Sequence, residues 1–220
     1  MTTFSCVSDN KNIHNVEAKS AGRSYPICSG VQYVIPEYLD IIESVINGYV
    51  SKWPRTLAIR IDLRFPEDYV PSQKNYVGDF MRRLQSRIDA DLARKSSDDK
   101  RVHKCELGYV WVREVGESCK PHYHVVILLN RDAYIGWSEY HPEATGVYGM
   151  IYRAWAAALG SEDMFRGTGV FFPESGVYRI DRAPSPENSN RSEFLTRLSY
   201  LAKVDTKYYG WQRRNIGYSR

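Results

Sequence analysis

No stretch of about 18 apolar residues occurs in the 220-residue chain, so nothing in it reads as a membrane-spanning helix. The opening residues, MTTFSCVSDNKNIHN, have no apolar core of the kind a signal peptide needs. A cytoplasmic location is the expectation. Cysteine is sparse. Cys6, Cys28, Cys105 and Cys119 form no C-x-x-C pair and no dense pattern, which excludes a disulfide scaffold and makes reduced thiols the default. No segment repeats itself. Nothing matches G-x-x-x-x-G-K followed by Ser or Thr, so the phosphate cradle of an NTPase is missing and no nucleotide cofactor is expected. Net charge is small too, +4 with histidine neutral. Its distribution says more: Arg191 to Arg220 holds seven Lys/Arg against two Asp/Glu, a balance of +5, and the rest is close to neutral. Such a basic end suits contact with a polyanion or a solubilising tail. Histidine is scarce as well, five in all. Two of the five stand two residues apart in KPHYHVVILLN (120–130).

What is present is alternation and helical spacing. In TLAIRIDLRF (56–65), Ile59, Ile61, Leu63 and Phe65 share one face and Arg60, Asp62 and Arg64 the other; that is a strand. Leu39, Ile42, Val45, Ile46 and Tyr49 predict a helix over 36–50, opened by Pro36. Tyr76, Phe80, Leu84, Ile88 and Leu92 step by four along a second helix, broken by KSSDDK (95–100). ELGYVWVRE (106–114) and HYHVVILL (122–129) read as two strands joined by a seven-residue loop. A third helix covers about 147–159, and a short strand region with a turn at Glu174–Gly176 follows. The last helix starts near Asn190 and is expected to carry Thr196, Tyr200, Lys203 and Lys207 on one arc. The order predicts an α+β domain with a largely antiparallel sheet of about five strands. It is expected to span 36–207, between an arm at 1–35 and a basic tail at 208–220.

On a strand, His122 and His124 point to the same face. If loop 115–121 is symmetric, Glu114 lies opposite His122 on that face. Two imidazoles and a carboxylate then suit a divalent metal with open positions for substrate. Ligands at a strand mouth also predict that replacing them spares the fold. A hydrogen-bonded cap on a strand edge is the bland alternative for the same pair. Tyr200 and Lys203, at i and i+3, are surface neighbours on a helix. A tyrosine hydroxyl next to a cation, facing a metal-polarised phosphate, can attack phosphorus. Y-x-x-K is a weak motif alone, and Tyr49–Lys52 is a second match. Tyr49 belongs to the apolar stripe of its helix, and Trp53-Pro54 ends that helix just after Lys52.

The strand with Asp62, then Glu114 with His122-Tyr123-His124, then Tyr200-Leu-Ala-Lys203, resembles the three-motif layout of HUH endonucleases, the rolling-circle replication initiators. RFPEDY, YVWVREV, PHYHVVILLN, IYRAWAAALG and SYLAKVDTK resemble the inovirus gene II-type replication protein family, also called the YagK/YfjJ C-terminal domain and common in prophages. The resemblance covers about 36–207. It implies a ferredoxin/RNA-recognition-type antiparallel sheet flanked by helices. It implies Mg²⁺- or Mn²⁺-dependent nicking of single-stranded or cruciform origin DNA, leaving a 5′-phosphotyrosine and a free 3′-OH. His122, His124 and Glu114 match its metal ligands, Tyr200 its nucleophile and Lys203 the partner. Asp62 stands where these initiators usually carry a threonine-containing strand, so its role is open. With no helicase motif, unwinding falls to a partner, a host helicase. Arg60, Asp62, Arg64, Lys207, Arg213 and Arg214 are candidates for DNA contact. Two rival classes remain: a non-catalytic DNA-binding regulator on the same scaffold, and a small-molecule metalloenzyme with a closed apolar pocket.

Overall fold

The alternating stretch becomes β1 (Arg55–Leu63), which lies inside the sheet. The computed structural model describes residues 31, 33–97, 101–116, 120–135, 140–183, 191–204, 207 and 214–220, together with the backbone of 14–15, 19–20, 23–24 and 190. Before β1, helix α1 (Pro36–Lys52) opens on Pro36, whose fixed φ and missing N–H suit a first turn. It ends at Trp53, whose N–H donates to Tyr49 O at 2.8 Å, because Pro54 cannot extend the ladder. Helix α2 (Tyr76–Ser97) buries the expected Tyr76, Phe80, Leu84 and Ile88. The hairpin is β2 (Gly108–Val115) and β3 (Pro121–Asn130). Then come α3 (Val147–Leu159), the short α4 (Glu162–Phe165), β4 (Val170–Phe171), β5 (Val177–Asp181) and α5 (Asn190–Leu198). A 3-10 turn, Ser199–Ala202, continues α5, and β6 (Ile216–Tyr218) follows.

The six strands form one open sheet in which every pairing is antiparallel. Its order is β6–β2–β3–β1. β4 and β5 both run along the outer side of β1, opposite Asp62–Leu63 and Arg55–Ile59 respectively. Helices cover both faces. Ile59, Ile61, Leu63, Val125 and Ile127 pack against Phe80, Leu84 and Ile88 of α2 and Ile151 and Trp155 of α3. On the other face Val110, Val112, Val126 and Leu128 pack against Ile42 and Ile46 of α1 and Phe194 and Leu198 of α5. Each such side chain, removed from water, contributes about 1.5–3 kcal/mol. Among the described residues no helix is long and apolar enough to cross a membrane.

Three boundaries differ from the sequence reading. The last α-helix stops at Leu198 rather than running to Lys207. The reason is tertiary: Val34 and Lys203 form an antiparallel bridge, Ile35 N–H donates to Ala202 O at 2.7 Å, and Val204 N–H donates to Tyr33 O at 3.0 Å. That pairing pulls Lys203 into extended backbone, φ −56° and ψ 144°. It also makes Tyr33–Ile35 part of the folded unit, so the boundary at 36 cuts through a structural contact. Finally, the segment expected as a tail ends in β6, paired along Val110–Val112 of β2; residues 208–213 lie outside the described residues.

Candidate metal centre and its tyrosine

The register of the hairpin builds the site. Val115 pairs with Pro121 and Glu114 with His122, as the symmetric loop predicts. His124 sits between Val112 of β2 and Asp62 of β1. Glu114, His122, His124 and Asp62 therefore share one face, at the end of the sheet where its apolar rows give way to polar side chains. His124 Nε2 lies 3.4 Å and His122 Nε2 3.6 Å from Glu114 Oε2. One ligand atom from each of the three residues falls within 4.8 Å of the others. The donor chemistry fits a divalent cation: two imidazoles, one ionised carboxylate, and His122 21% exposed so that a ligand can enter.

A second layer of groups fixes these donors. His124 Nδ1 is 2.6 Å from Asp62 Oδ1. A carboxylate there keeps the proton on Nδ1 and turns Nε2 toward the cluster. Burial opposes the charged imidazole, but Asp62 and Glu114 outweigh it and raise the His124 pKa above the ordinary value. Burial likewise opposes the Asp62 carboxylate, and the hydrogen bond with His124 overrides it, lowering the pKa. Glu114 follows the same rule. Its burial is outweighed by hydrogen bonds from His122 and His124 and by the Lys207 charge, which hold it far below the usual carboxylate range.

The tyrosine approaches from the 3-10 turn. Its ring meets His124 edge-on, centroids 5.9 Å apart. Lys203 Nζ donates to the Tyr200 hydroxyl at 2.7 Å and lies 3.3 Å from Glu114 Oε2. Burial opposes the Lys203 charge, and Tyr200 and Glu114 together outweigh it, so the ammonium is held. The Arg60 guanidinium lies over the Tyr200 ring, 5.5 Å from its centroid. The competing Tyr49 is turned elsewhere: its hydroxyl donates to Glu106 O at 2.6 Å, and burial pushes its pKa up.

The family model for the YagK/YfjJ C-terminal domain matches residues 19–219. The chain belongs to the YagK/YfjJ C-terminal domain family. It is 35% identical over 195 residues to "Uncharacterized protein YagK" of Escherichia coli (strain K12), covering 84% of this chain and 93% of that protein. It is 30% identical over 197 residues to "Uncharacterized protein YfjJ" of the same strain, covering 83% and 93%. No solved structure matches. The YagK/YfjJ match begins upstream of residue 36 and reaches into β6, in keeping with the pairing of both segments with the sheet domain.

Within this YagK/YfjJ domain, sequence reasoning missed two roles. Asp62 is a partner of His124, a relation visible only once β1 and β3 are known to be neighbours. Lys207, read as a phosphate contact, has a fully buried side chain and donates to Glu114 Oε1 at 2.6 Å. That pair also corrects the expectation that every ligand replacement spares the fold. Glu114→Ala would break the buried pair with the Lys207 ammonium, a change that costs about 3–5 kcal/mol. Arg64 is exposed on the triad face. Arg214 is not brought to the triad; it lines a cavity of about 270 Å³ with Arg113, Trp111 and Tyr123. Arg213 lies outside the described residues.

Proposed function

We propose that this protein is a metal-dependent single-strand DNA endonuclease of the HUH type that nicks and rejoins through a 5′-phosphotyrosine, initiating rolling-circle replication of a phage or prophage element. One observation carries the reading: the Tyr200 hydroxyl is bonded to Lys203 while its ring packs on His124 of the Glu114–His122–His124 cluster. A nucleophile, a cation and a metal-ligand set meet at one place. The strand order, with helices after β1 and after β3, supports a ferredoxin-type sheet.

Held by Glu114, His122 and His124, a divalent ion, Mg²⁺ or Mn²⁺, would supply Lewis-acid polarisation of the scissile phosphate. Tyr200 Oη forms the new bond to phosphorus. Oη releases its proton; the bond to the 3′-oxygen breaks, and that oxygen takes up a proton and leaves as a free 3′-OH, so the exchange is proton-neutral. The Lys203 ammonium, 2.7 Å from Oη, stabilises the negative charge left on the phenolic oxygen as its proton departs and the charge spread over the phosphoryl oxygens beside it. Arg60, over the ring, adds positive potential on the same side. Because one phosphoester replaces another, the reverse attack by a 3′-OH rejoins the strand without ATP. Single-stranded or cruciform origin DNA is the substrate, a host helicase the partner that unwinds it, and the cytoplasm the compartment.

Nicking of an end-labelled single-stranded origin oligonucleotide in Mn²⁺ tests this reading. His122→Ala, at the most exposed ligand, and Glu114→Gln should each abolish cleavage. His122→Ala should retain the unaltered far-UV circular dichroism. Cleavage at the unaltered rate by both variants would sink the metal assignment.

A further inference from the structure

The chain reaches β4 through Gly167 and Gly169, both at positive φ, 80° and 69°. Gly169 is clamped on β1: Arg64 N–H donates to Gly169 O at 2.7 Å, and a Cβ on Gly169 would lie 2.2 Å from Arg64 O. Trp155 Nε1 donates to that same Arg64 oxygen at 3.0 Å. This fixes the two residues of β4. Val170 pairs with Leu63 and packs against the α2–α3 core. Phe171 pairs with Asp62 and so takes the opposite face, the face of the histidines, where it is 54% exposed.

Its setting is specific. Phe171 is two strands from His124, roughly 10 Å at the usual inter-strand spacing. Its β1 partner Asp62 is the residue bonded to His124. The same face continues with Arg60 of β1, over the Tyr200 ring, and with exposed Arg64 just past the end of that strand. A protein-docking patch groups apolar side chains. Here one flat apolar ring stands in water between two arginines and a carboxylate. The ligand that matches a ring beside cations is a nucleobase carried on phosphates.

Resting on the nicking reading, we infer that Phe171 is a stacking platform for a nucleobase of the single-stranded substrate, next to the phosphate presented to Tyr200. Arg60 and Arg64 meet the flanking phosphates. The platform favours single-stranded over paired substrate, because a base stacked on Phe171 cannot remain in a duplex stack.

Binding of fluorescein-labelled oligo-dT in EDTA, followed by anisotropy over a series of salt concentrations, tests the platform apart from cleavage. Phe171→Leu keeps the apolar bulk and the edge strand but removes the π face. Phe171→Ala and Phe171→Leu should each weaken binding about tenfold, with the slope of log K against log salt unchanged. Phe171→Trp should bind as the unaltered protein does. Its added indole emission should fall with oligo-dT and stay constant with an abasic oligomer of equal length. Full oligo-dT affinity in both the alanine and leucine variants, or indole emission indifferent to bound oligo-dT, would overturn the platform and leave the nicking reading standing. An unaltered protein with no affinity for oligo-dT would overturn both. A protein partner on this face would show as full DNA affinity in every variant.

Discussion

Asp62 decides which nitrogen of His124 carries the proton. Its carboxylate holds the Nδ1 side at 2.6 Å, so Nε2 is the atom left to meet Glu114 and a cation. Asp62→Asn removes the charge and much of that orientation. Metal affinity, measured by calorimetric titration with Mn²⁺, should fall about 10- to 100-fold while folding is retained; unchanged affinity would reduce Asp62 to a structural contact. The raised His124 pKa gives a pH dependence of definite sign. In the metal-free protein the folded-state value lies above the unfolded one. The resulting stabilisation is complete below the unfolded value and is lost as pH rises through the folded one. A cation, however, needs the deprotonated Nε2. Thermal melts should therefore show metal-free stability declining as pH rises above the ordinary histidine range, while the stabilisation by Mn²⁺ grows over the same range. Parallel curves with and without Mn²⁺ would mean that His124 is not a ligand. At this scale the sequence already carried much of the site: the H-x-H pair and the loop symmetry placed Glu114 opposite His122. It could not show Asp62 against His124 or Lys207 beneath Glu114, because each contact crosses between distant segments.

At the scale of elements, the informative difference is the end of α5. Periodicity alone extends the helix to Lys207, since Tyr200, Lys203 and Lys207 keep helical spacing. The chain instead tightens into a 3-10 turn and then pairs with Tyr33–Ile35. Helical spacing is a local signal, and a non-local pairing overrides it. The arc was right about neighbours for a partly different reason: Lys203 still reaches Tyr200 at i and i+3, but Lys207 reaches Glu114 from beyond the end of the helix, its N–H donating to Val204 O at 3.2 Å. By contrast, the strict alternation of 56–65 was legible because one face packs in the α2–α3 core while the other carries Arg60, Asp62 and Arg64, and the apolar run of β3 was legible because that strand is buried on both faces. The pairing has a consequence for the segment read as an arm. Deleting residues 1–35 removes the bridge to Lys203 with its two backbone hydrogen bonds, each contributing about 0.5–1.5 kcal/mol. The shortened protein should melt at lower temperature and form less covalent product, as followed by calorimetry and a denaturing gel. Unchanged melting and yield would show that the turn holds itself.

For the whole molecule, the sheet acts as a ruler that brings four chain segments to one end of one face: β1 with Asp62, the β2–β3 hairpin with the ligands, the edge strand with Phe171, and the turn after α5 with Tyr200. Two helical layers close the rest, so on the α1–α5 face the polar cluster is where the proposed single-stranded substrate would enter. The two Y-x-x-K matches part company at this scale, since Tyr49 is bound to Glu106 O and Tyr200 stands beside the cluster. The decisive measurement is to incubate the protein with Mn²⁺ and a single-stranded origin oligonucleotide, trap the product under denaturing conditions, and map the modified peptide by mass spectrometry. The account predicts a DNA-linked peptide containing Tyr200, lost in Tyr200→Phe and retained in Tyr49→Phe. A linkage at Tyr49 would contradict the assignment of the nucleophile, and the absence of any linkage in a protein that binds the oligonucleotide would contradict the enzyme itself.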